Sequence, residues 1–250
     1  VSEIKRIKVV VPIPMDEAGV ANRRSQLPDA LIAPGFEPDF EAVKWGAALG
    51  DSYHDMLLMD WTVFQAGIDA EAQGYAAVVI DTVSDSGVRA LRSRLNIPVI
   101  GPGEAAFHAA MLLGKSFTVL TMWPQWFPLY EKTLGDYALG DRCASLRSID
   151  TRPDVTELLA GKEEVIFDKL RAEAVRAIEE DGADVIVLGS TTMHQSHAYL
   201  SSVLPIPVIN PGVVAWKTAE MLVSLGLSHS KKAFPSPEVG KDLDIRKGWA

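Results

Sequence analysis

This chain of 250 residues has a single cysteine, more acid than base, and no long uninterrupted apolar run. Each shortage excludes something. A lone Cys143 cannot form an internal disulfide and fits a reducing compartment. A formal net charge of −9 disfavours nucleic acid or an acidic membrane surface as partner, although one small site can still be locally positive. No apolar stretch approaches the roughly 20 residues that a membrane span requires, and the first residues lack the apolar core of a signal peptide. The sequence therefore reads as a cytoplasmic globular protein. Its hydrophobic content of 48% can fill one large core or two small ones.

What is present is written twice. Gly74 opens GYAAVVIDTVSDSGV, followed by a helical segment, IPVIGPG, and a helical segment ending at Leu113-Gly114; Gly182 opens GADVIVLGSTTMHQSH, followed by a helical segment, IPVINPG, and one ending at Leu225-Gly226. A shift of about 108 residues superposes Gly74 on Gly182, Val79 on Val187 and Thr82 on Ser190. One inserted residue later, Ile97-Pro98-Val99-Ile100 falls on Ile206-Pro207-Val208-Ile209. Upstream, Lys8-Val9-Val10-Val11 leading to Pro14 matches Thr118-Val119-Leu120-Thr121 leading to Pro124. The duplication predicts an α/β fold of two similar lobes, each a short, mainly parallel sheet flanked by helices, related by a pseudo-twofold axis with the site between them. The first lobe is expected over 1–114 and the second over 115–212, with the terminal helix and tail, 213–250, packing back on the first.

Along the chain, the β-branched run at 7–11 predicts a strand buried on both faces. Residues 15–50, punctuated by Pro28, Pro34, Gly35 and Pro38, predict irregular chain and a candidate cover over the site. A helix capped by Asp51 or Ser52 is expected to bury Met56, Leu57, Met59, Val63, Phe64 and Ile68 and to end near Gly74. A strand at 76–80, a helix to 95, a strand at 99–100 and a helix over 104–113 complete three parallel strands in this half. The second half predicts strands at 117–121, 146–149, 185–188 and 208–209, with helices over 128–134, 163–180 and 213–225.

Parallel sheets bind ligands beyond the carboxyl ends of their strands. There the first copy offers Thr82, Val83, Ser84, Asp85 and Ser86, and the second Ser190, Thr191 and Thr192: hydroxyls and backbone donors suited to a carboxylate or an imide carbonyl. Taken singly, each hydroxyl reads as a helix cap; their repetition points to one symmetric cleft. Titratable groups near these loops are His54, His194, His197, Asp16, Asp81 and Asp85. His194 and His197 stand one helical turn apart, but with Asp81 or His54 they make an incomplete ligand set, so no metal is expected. Cys143 reads as a packing residue.

These blocks, AAVVIDTVSDSGVRAL, IPVIGPGEAAFHAAMLLGKSFTVLT, EEDGADVIVLGSTTM and IPVINPGVVAWKTAEMLVSLGL, resemble the aspartate/glutamate/hydantoin racemase superfamily over nearly the whole chain, and hydantoin racemases in particular. The opening VVPIP and the later SYHD also resemble arylmalonate decarboxylase and maleate isomerase. The resemblance implies a cofactor-independent isomerase acting on a small carboxylate or cyclic imide bound between two lobes. In such enzymes a cysteine from each lobe works on opposite faces of a carbon acid; here Thr82 and Ser190 stand at the two cysteine positions. It further implies that Pro12, Tyr53, Val83, Ser84, Trp123 and Thr191 match pocket positions, with Ser84 and Thr191 donating to an oxyanion and Trp123 forming an aromatic wall.

A thiol titrates near ~8.5 and can be tuned to exchange protons at neutral pH, whereas an alcohol needs a separate base. Three outcomes are therefore open: isomerisation with a non-thiol proton carrier; a lyase, decarboxylase or Ser190 hydrolase with His194 as activating base; or a binding protein without catalysis. The tryptophans Trp45, Trp61, Trp123 and Trp126 suggest a homo-oligomer.

Overall fold

The computed structural model describes residues 4–153 and 164–240. The first lobe contains β1 (Lys5–Val11), α1 (Glu17–Ser25), β2 (Phe36–Ala42), α2 (Tyr53–Gly67), β3 (Ala77–Ile80), α3 (Val88–Arg94), β4 (Val99–Ile100) and α4 (Pro102–Leu113). The second contains β5 (Phe117–Thr121), α5 (Phe127–Asp136), β6 (Cys143–Ser148), α6 (Phe167–Glu179), β7 (Val185–Leu188), α7 (His194–Val203), β8 (Val208–Ile209) and α8 (Pro211–Ser224). Each lobe builds a four-stranded, all-parallel sheet, ordered β2-β1-β3-β4 and β6-β5-β7-β8. The repeat in the sequence is thus a repeat in topology: Val9 pairs with Val79 in one sheet and Val119 with Val187 in the other.

Side chains alternate between the two faces of a strand, and both faces of each sheet are covered, which explains the unbroken apolar runs. In the first lobe Val78 and Ile80 pack with Val63 of α2 and Leu91 of α3. On the other face Ile7, Val9, Ala77 and Val79 meet Ala215, Trp216 and Ala219 of α8, a helix that follows the last strand of the second sheet. The exchange is reciprocal: Ala106, Phe107 and Ala110 of α4 pack on Phe117, Val119, Val185 and Val187 of the second sheet. The remaining face of that sheet, Leu120, Ile186 and Leu188, packs on Leu170, Ala174 and Ala177 of α6 and Leu200 of α7. The chain past α8 returns to the first lobe, where Ser228 Oγ donates to Asn96 O and Lys231 Nζ to Leu95 O.

Several elements differ from expectation. Residues 15–50 are not irregular throughout: they hold α1, whose N-terminus Asp16 caps by accepting from the Gly19 amide at 2.8 Å, and β2, the fourth strand of the first sheet. Pro38 sits in β2 because an edge strand can spare an amide proton. Helix α2 begins at Tyr53, with Ser52 as its cap, and ends at Gly67, followed by turns up to Gly74, which adopts φ +80°. Leu57, expected in the core, is 69% exposed. Strand β6 lies at Cys143–Ser148 rather than 146–149. The expected start of the long helix at residue 163, and residues 241–250 of the tail, lie outside the described residues. No described helix is long and apolar enough to cross a membrane.

Candidate active site

Loops leaving the carboxyl ends of β1, β3 and β7 converge on a cavity of about 110 Å³ at the junction of the lobes. The β1 loop contributes Pro12 and Ile13, the β3 loop Asp81, Thr82, Val83 and Ser84, and the β7 loop Gly189, Ser190, Thr191 and Thr192. Thr82 and Ser190, equivalent in the repeat, therefore face one hollow from different lobes. Apolar wall comes from Met15, Ala48, Leu49, Met59, Trp126 and Leu129. Of the stretch expected to cover the site, Met15, Arg23, Ala48 and Leu49 reach it.

Hydroxyls in the two loops pair alike. Thr82 Oγ1 lies 3.1 Å from Ser84 Oγ, and at the equivalent positions Ser190 Oγ lies 2.8 Å from Thr192 Oγ1. The first ladder continues from Ser84 Oγ to Ser86 Oγ at 2.9 Å. The Ser190 hydroxyl also accepts from the Thr192 amide at 3.2 Å. Behind the second loop, the buried Tyr130 hydroxyl donates to Gly189 O at 2.7 Å and pairs with Thr121 Oγ1 at 2.8 Å, and burial raises its pKa.

The charged wall of the cavity is a buried ion pair. Arg23, on α1, meets Asp81 through two bonds, Nε to Oδ2 at 2.8 Å and Nη2 to Oδ1 at 2.7 Å. Its Nη2 also donates to Thr191 O at 3.2 Å and Thr191 Oγ1 at 3.0 Å, and Nη1 to Gln26 Oε1 at 2.7 Å. Both partners are nearly inaccessible to solvent, so the guanidinium's charge is consumed inside the protein.

Asp85, next to the cavity loop, faces away from it: Oδ1 accepts from the Gly103 amide at 2.7 Å and Oδ2 from the Glu104 amide at 2.8 Å, capping α4. Burial pushes its carboxyl up to about 7 despite these two bonds, and Glu104 adds to the rise.

Of the residues singled out from the sequence, Pro12, Thr82, Val83, Ser84, Ser190 and Thr191 line the cavity. Tyr53, Trp123 and His194 stand outside its lining. Tyr53 is 77% exposed in the first turn of α2, because the buried stripe of that helix runs through Met56, Met59 and Val63 and turns Tyr53 outward. The aromatic wall is Trp126 instead of Trp123; its Nε1 is held by Leu49 O at 2.8 Å, which turns the ring toward the hollow. The Ser190–His194 dyad is not formed, since His194 Nδ1 lies 3.3 Å from Asn210 Nδ2 while Ser190 pairs with Thr192. His197 is half-buried and desolvation lowers its pKa; His54 is exposed. Cys143 lies at the start of β6, where burial pushes the thiol up to about 11. Among the described residues no group of three or more His, Cys, Asp or Glu could hold a metal ion.

Sequence reasoning missed Arg23, Trp126 and Tyr130. Asp81 was the available signal for Arg23: a carboxylate immediately after an apolar strand at a closed cleft calls for a buried cation.

Comparison with known proteins agrees with this architecture. The family model for Asp/Glu/Hydantoin racemase matches residues 30–219. A hydantoin racemase from Pseudomonas sp. (strain NS671) is 33% identical over 196 residues, 78% of either chain. The structure of an allantoin racemase from Klebsiella pneumoniae superposes with a TM-score of 0.83 at 30% identity, covering 94% of this chain and 95% of that one. Arylmalonate decarboxylase, at 18% identity and a TM-score of 0.61 over 88% of this chain and 93% of its own, shares the fold.

Proposed function

The chain belongs to the Asp/Glu/hydantoin racemase family, and from that premise we propose that it is an isomerase inverting a carbon acid in a small, neutral cyclic ureide or imide. The observation that carries the reading is the convergence of two equivalent hydroxyl-bearing loops, Thr82 to Ser84 and Ser190 to Thr192, on one cavity. The relatives named above are a hydantoin and an allantoin racemase, and both words denote five-membered cyclic ureides with an acidic carbon beside a carbonyl. A neutral ring fits better than a free carboxylate, because Arg23 is already bound to Asp81 and Thr191 and the wall is mostly apolar. An apolar ring substituent has room against Trp126, Met59 and Leu129.

In this reading, amides of the two loops receive the enolate-like oxygens, as preorganised donors do, the Thr191 hydroxyl being already given to Asp81 O at 3.1 Å. Thr82 and Ser190 stand on opposite faces of the ring carbon. On one face the hydroxyl's own proton leaves through its ladder, Ser84 or Thr192, to water, and the alkoxide takes the carbon-bound proton; on the other face a hydroxyl gives its proton to carbon and the alkoxide left there regains one from water. Alcohols are poor proton carriers near neutral pH, so this step limits the rate.

The test is incubation of a single-enantiomer 5-substituted hydantoin in heavy water. The reading expects loss of optical rotation with one deuteron incorporated per inverted molecule; unchanged rotation and unlabelled substrate would refute it. A second reading, a binding protein without turnover, is favoured by one observation: among the described residues lining the cavity there is no thiol or imidazole, and the carboxylate of Asp81 is held by Arg23. Binding without label or rotation change would support it.

A further inference from the structure

Each lobe sends a helix across the junction to the other lobe's loop. Helices α1 and α5 follow the first strand of their respective lobes. From α1, Arg23 Nη2 donates to Thr191 O in the second lobe. From α5, Thr133 Oγ1, which also lies 2.9 Å from Leu129 O, approaches Val83 O at 3.3 Å in the first lobe. Val83 and Thr191 are the same position in the repeat, one residue past Thr82 and Ser190. Lys132 Nζ adds a bond to Ser84 O at 3.3 Å.

The two ties are matched in place but not in strength. A hydroxyl sharing its proton between two carbonyls holds weakly. The guanidinium makes a bidentate, charge-assisted contact to Asp81, the residue before Thr82, and reaches two atoms of Thr191, the residue after Ser190. One planar group thus touches the loop of each lobe beside the hydroxyl that faces the cavity. A buried ion pair is a poor way to gain stability, since packed apolar groups of similar volume often serve as well. Its use at this position has a geometric reason: only a rigid fork can hold three partners at fixed angles.

We propose that Arg23 is the positioning residue of the active site, setting the separation of the Thr82 and Ser190 loops through its simultaneous grip on Asp81 and Thr191. The inference rests on the isomerase reading of that cavity. A lysine in its place keeps the charge but gives a single point of attachment, leaving the neutral bond from Thr191 Oγ1 to Asp81 O, 3.1 Å, to join these two residues, so one loop drifts from the other. Because misplacement of a reacting group by about 1 Å can cost ~10²-fold in rate, the effect falls on turnover more than on binding.

Arg23→Lys and Arg23→Ala are compared with the full chain in two measurements. The first is amide hydrogen exchange of residues 81–86 and 189–193; the second is deuterium exchange into a single-enantiomer hydantoin, with ligand affinity read in parallel. Expected in Arg23→Lys are faster amide exchange in both loops together, a loss of about 10²-fold in substrate exchange, and affinity changed by less than about threefold. Millimolar guanidinium added to Arg23→Ala should restore part of the loop protection and part of the rate. Wild-type loop protection in Arg23→Lys, or a rate that falls only with the folded fraction, overturns the proposal. Should the wild-type chain exchange no substrate deuterium, the isomerase reading fails by itself, and loop protection still decides the role of Arg23.

Discussion

The carboxylate of Asp85 occupies the space that a side chain on Gly101 would need: a Cβ at Gly101 would fall 2.3 Å from Asp85 Cγ. The loop after β3 is thereby buttoned to the N-terminus of α4, whose Gly103 and Glu104 amides Asp85 receives. The second copy solves the same problem differently. Asn210, at the position equivalent to Gly101, accepts the Gly212 and Val213 amides at 3.1 and 3.3 Å with its own Oδ1. Equivalent amide donors are thus satisfied from the cavity loop in one lobe and from the cap itself in the other.

That asymmetry separates two glycines that the repeat makes look alike. A Cβ at Gly103 would stand 2.3 Å from Val83 O and 2.8 Å from Thr133 Cγ2, whereas at Gly212 the nearest atom would be 3.5 Å away. Gly103→Ala should cost at least about 1–3 kcal/mol by forcing backbone apart, while Gly212→Ala should stay within about 0.5 kcal/mol of the parent. Denaturant unfolding of the two variants checks this, and equal effects would contradict it.

Asp85 also predicts a pH dependence. Its carboxyl is raised to about 7, so the native state holds that proton more tightly than the unfolded chain does. Its contribution to stability is whole below the ordinary carboxylate range and is lost as pH rises from about 4 through about 7, with a slope approaching ~1.4 kcal/mol per pH unit. Urea midpoints of the parent and Asp85→Asn across pH 4 to 8 test it: the difference between them should carry that slope, and a flat difference would refute it.

Trp126 offers an optical test of the cavity. Its indole lines the hollow and its Nε1 is fixed by Leu49 O. Ligand binding should quench tryptophan fluorescence in the parent and in Trp123→Phe, and lose most of that signal in Trp126→Phe. Retained quenching in Trp126→Phe would move the ligand elsewhere.

Much of this was legible in the sequence because the duplication fixes spacing. Strands β5, β7 and β8 fall where the apolar runs lie, and Thr82 and Ser190 meet at one cavity as the repeat requires. The illegible parts have physical causes. Strand β2 is half-exposed, carries three acids and Pro38, and pairs on one side only, so it lacks the signature of its buried neighbours. Helix α1 buries an arginine instead of an apolar stripe, which hides it from periodicity. The crossing of α4 from the first lobe to the second sheet depends on long-range packing that local sequence does not encode. Trp123 and Trp126 are three residues apart, and only the folded chain, with Trp126 bonded to Leu49 O, distinguishes the one that lines the cavity.

The most direct measurement restores sulfur one face at a time. Thr82→Cys and Ser190→Cys are assayed separately for deuterium exchange into each enantiomer of a 5-substituted hydantoin. A thiol exchanges protons at neutral pH far more readily than an alcohol. Thr82→Cys should accelerate exchange of one enantiomer and Ser190→Cys that of the other, with the double variant accelerating inversion of both. Acceleration of the same enantiomer by both single variants, or of neither, would contradict a substrate held between these two residues.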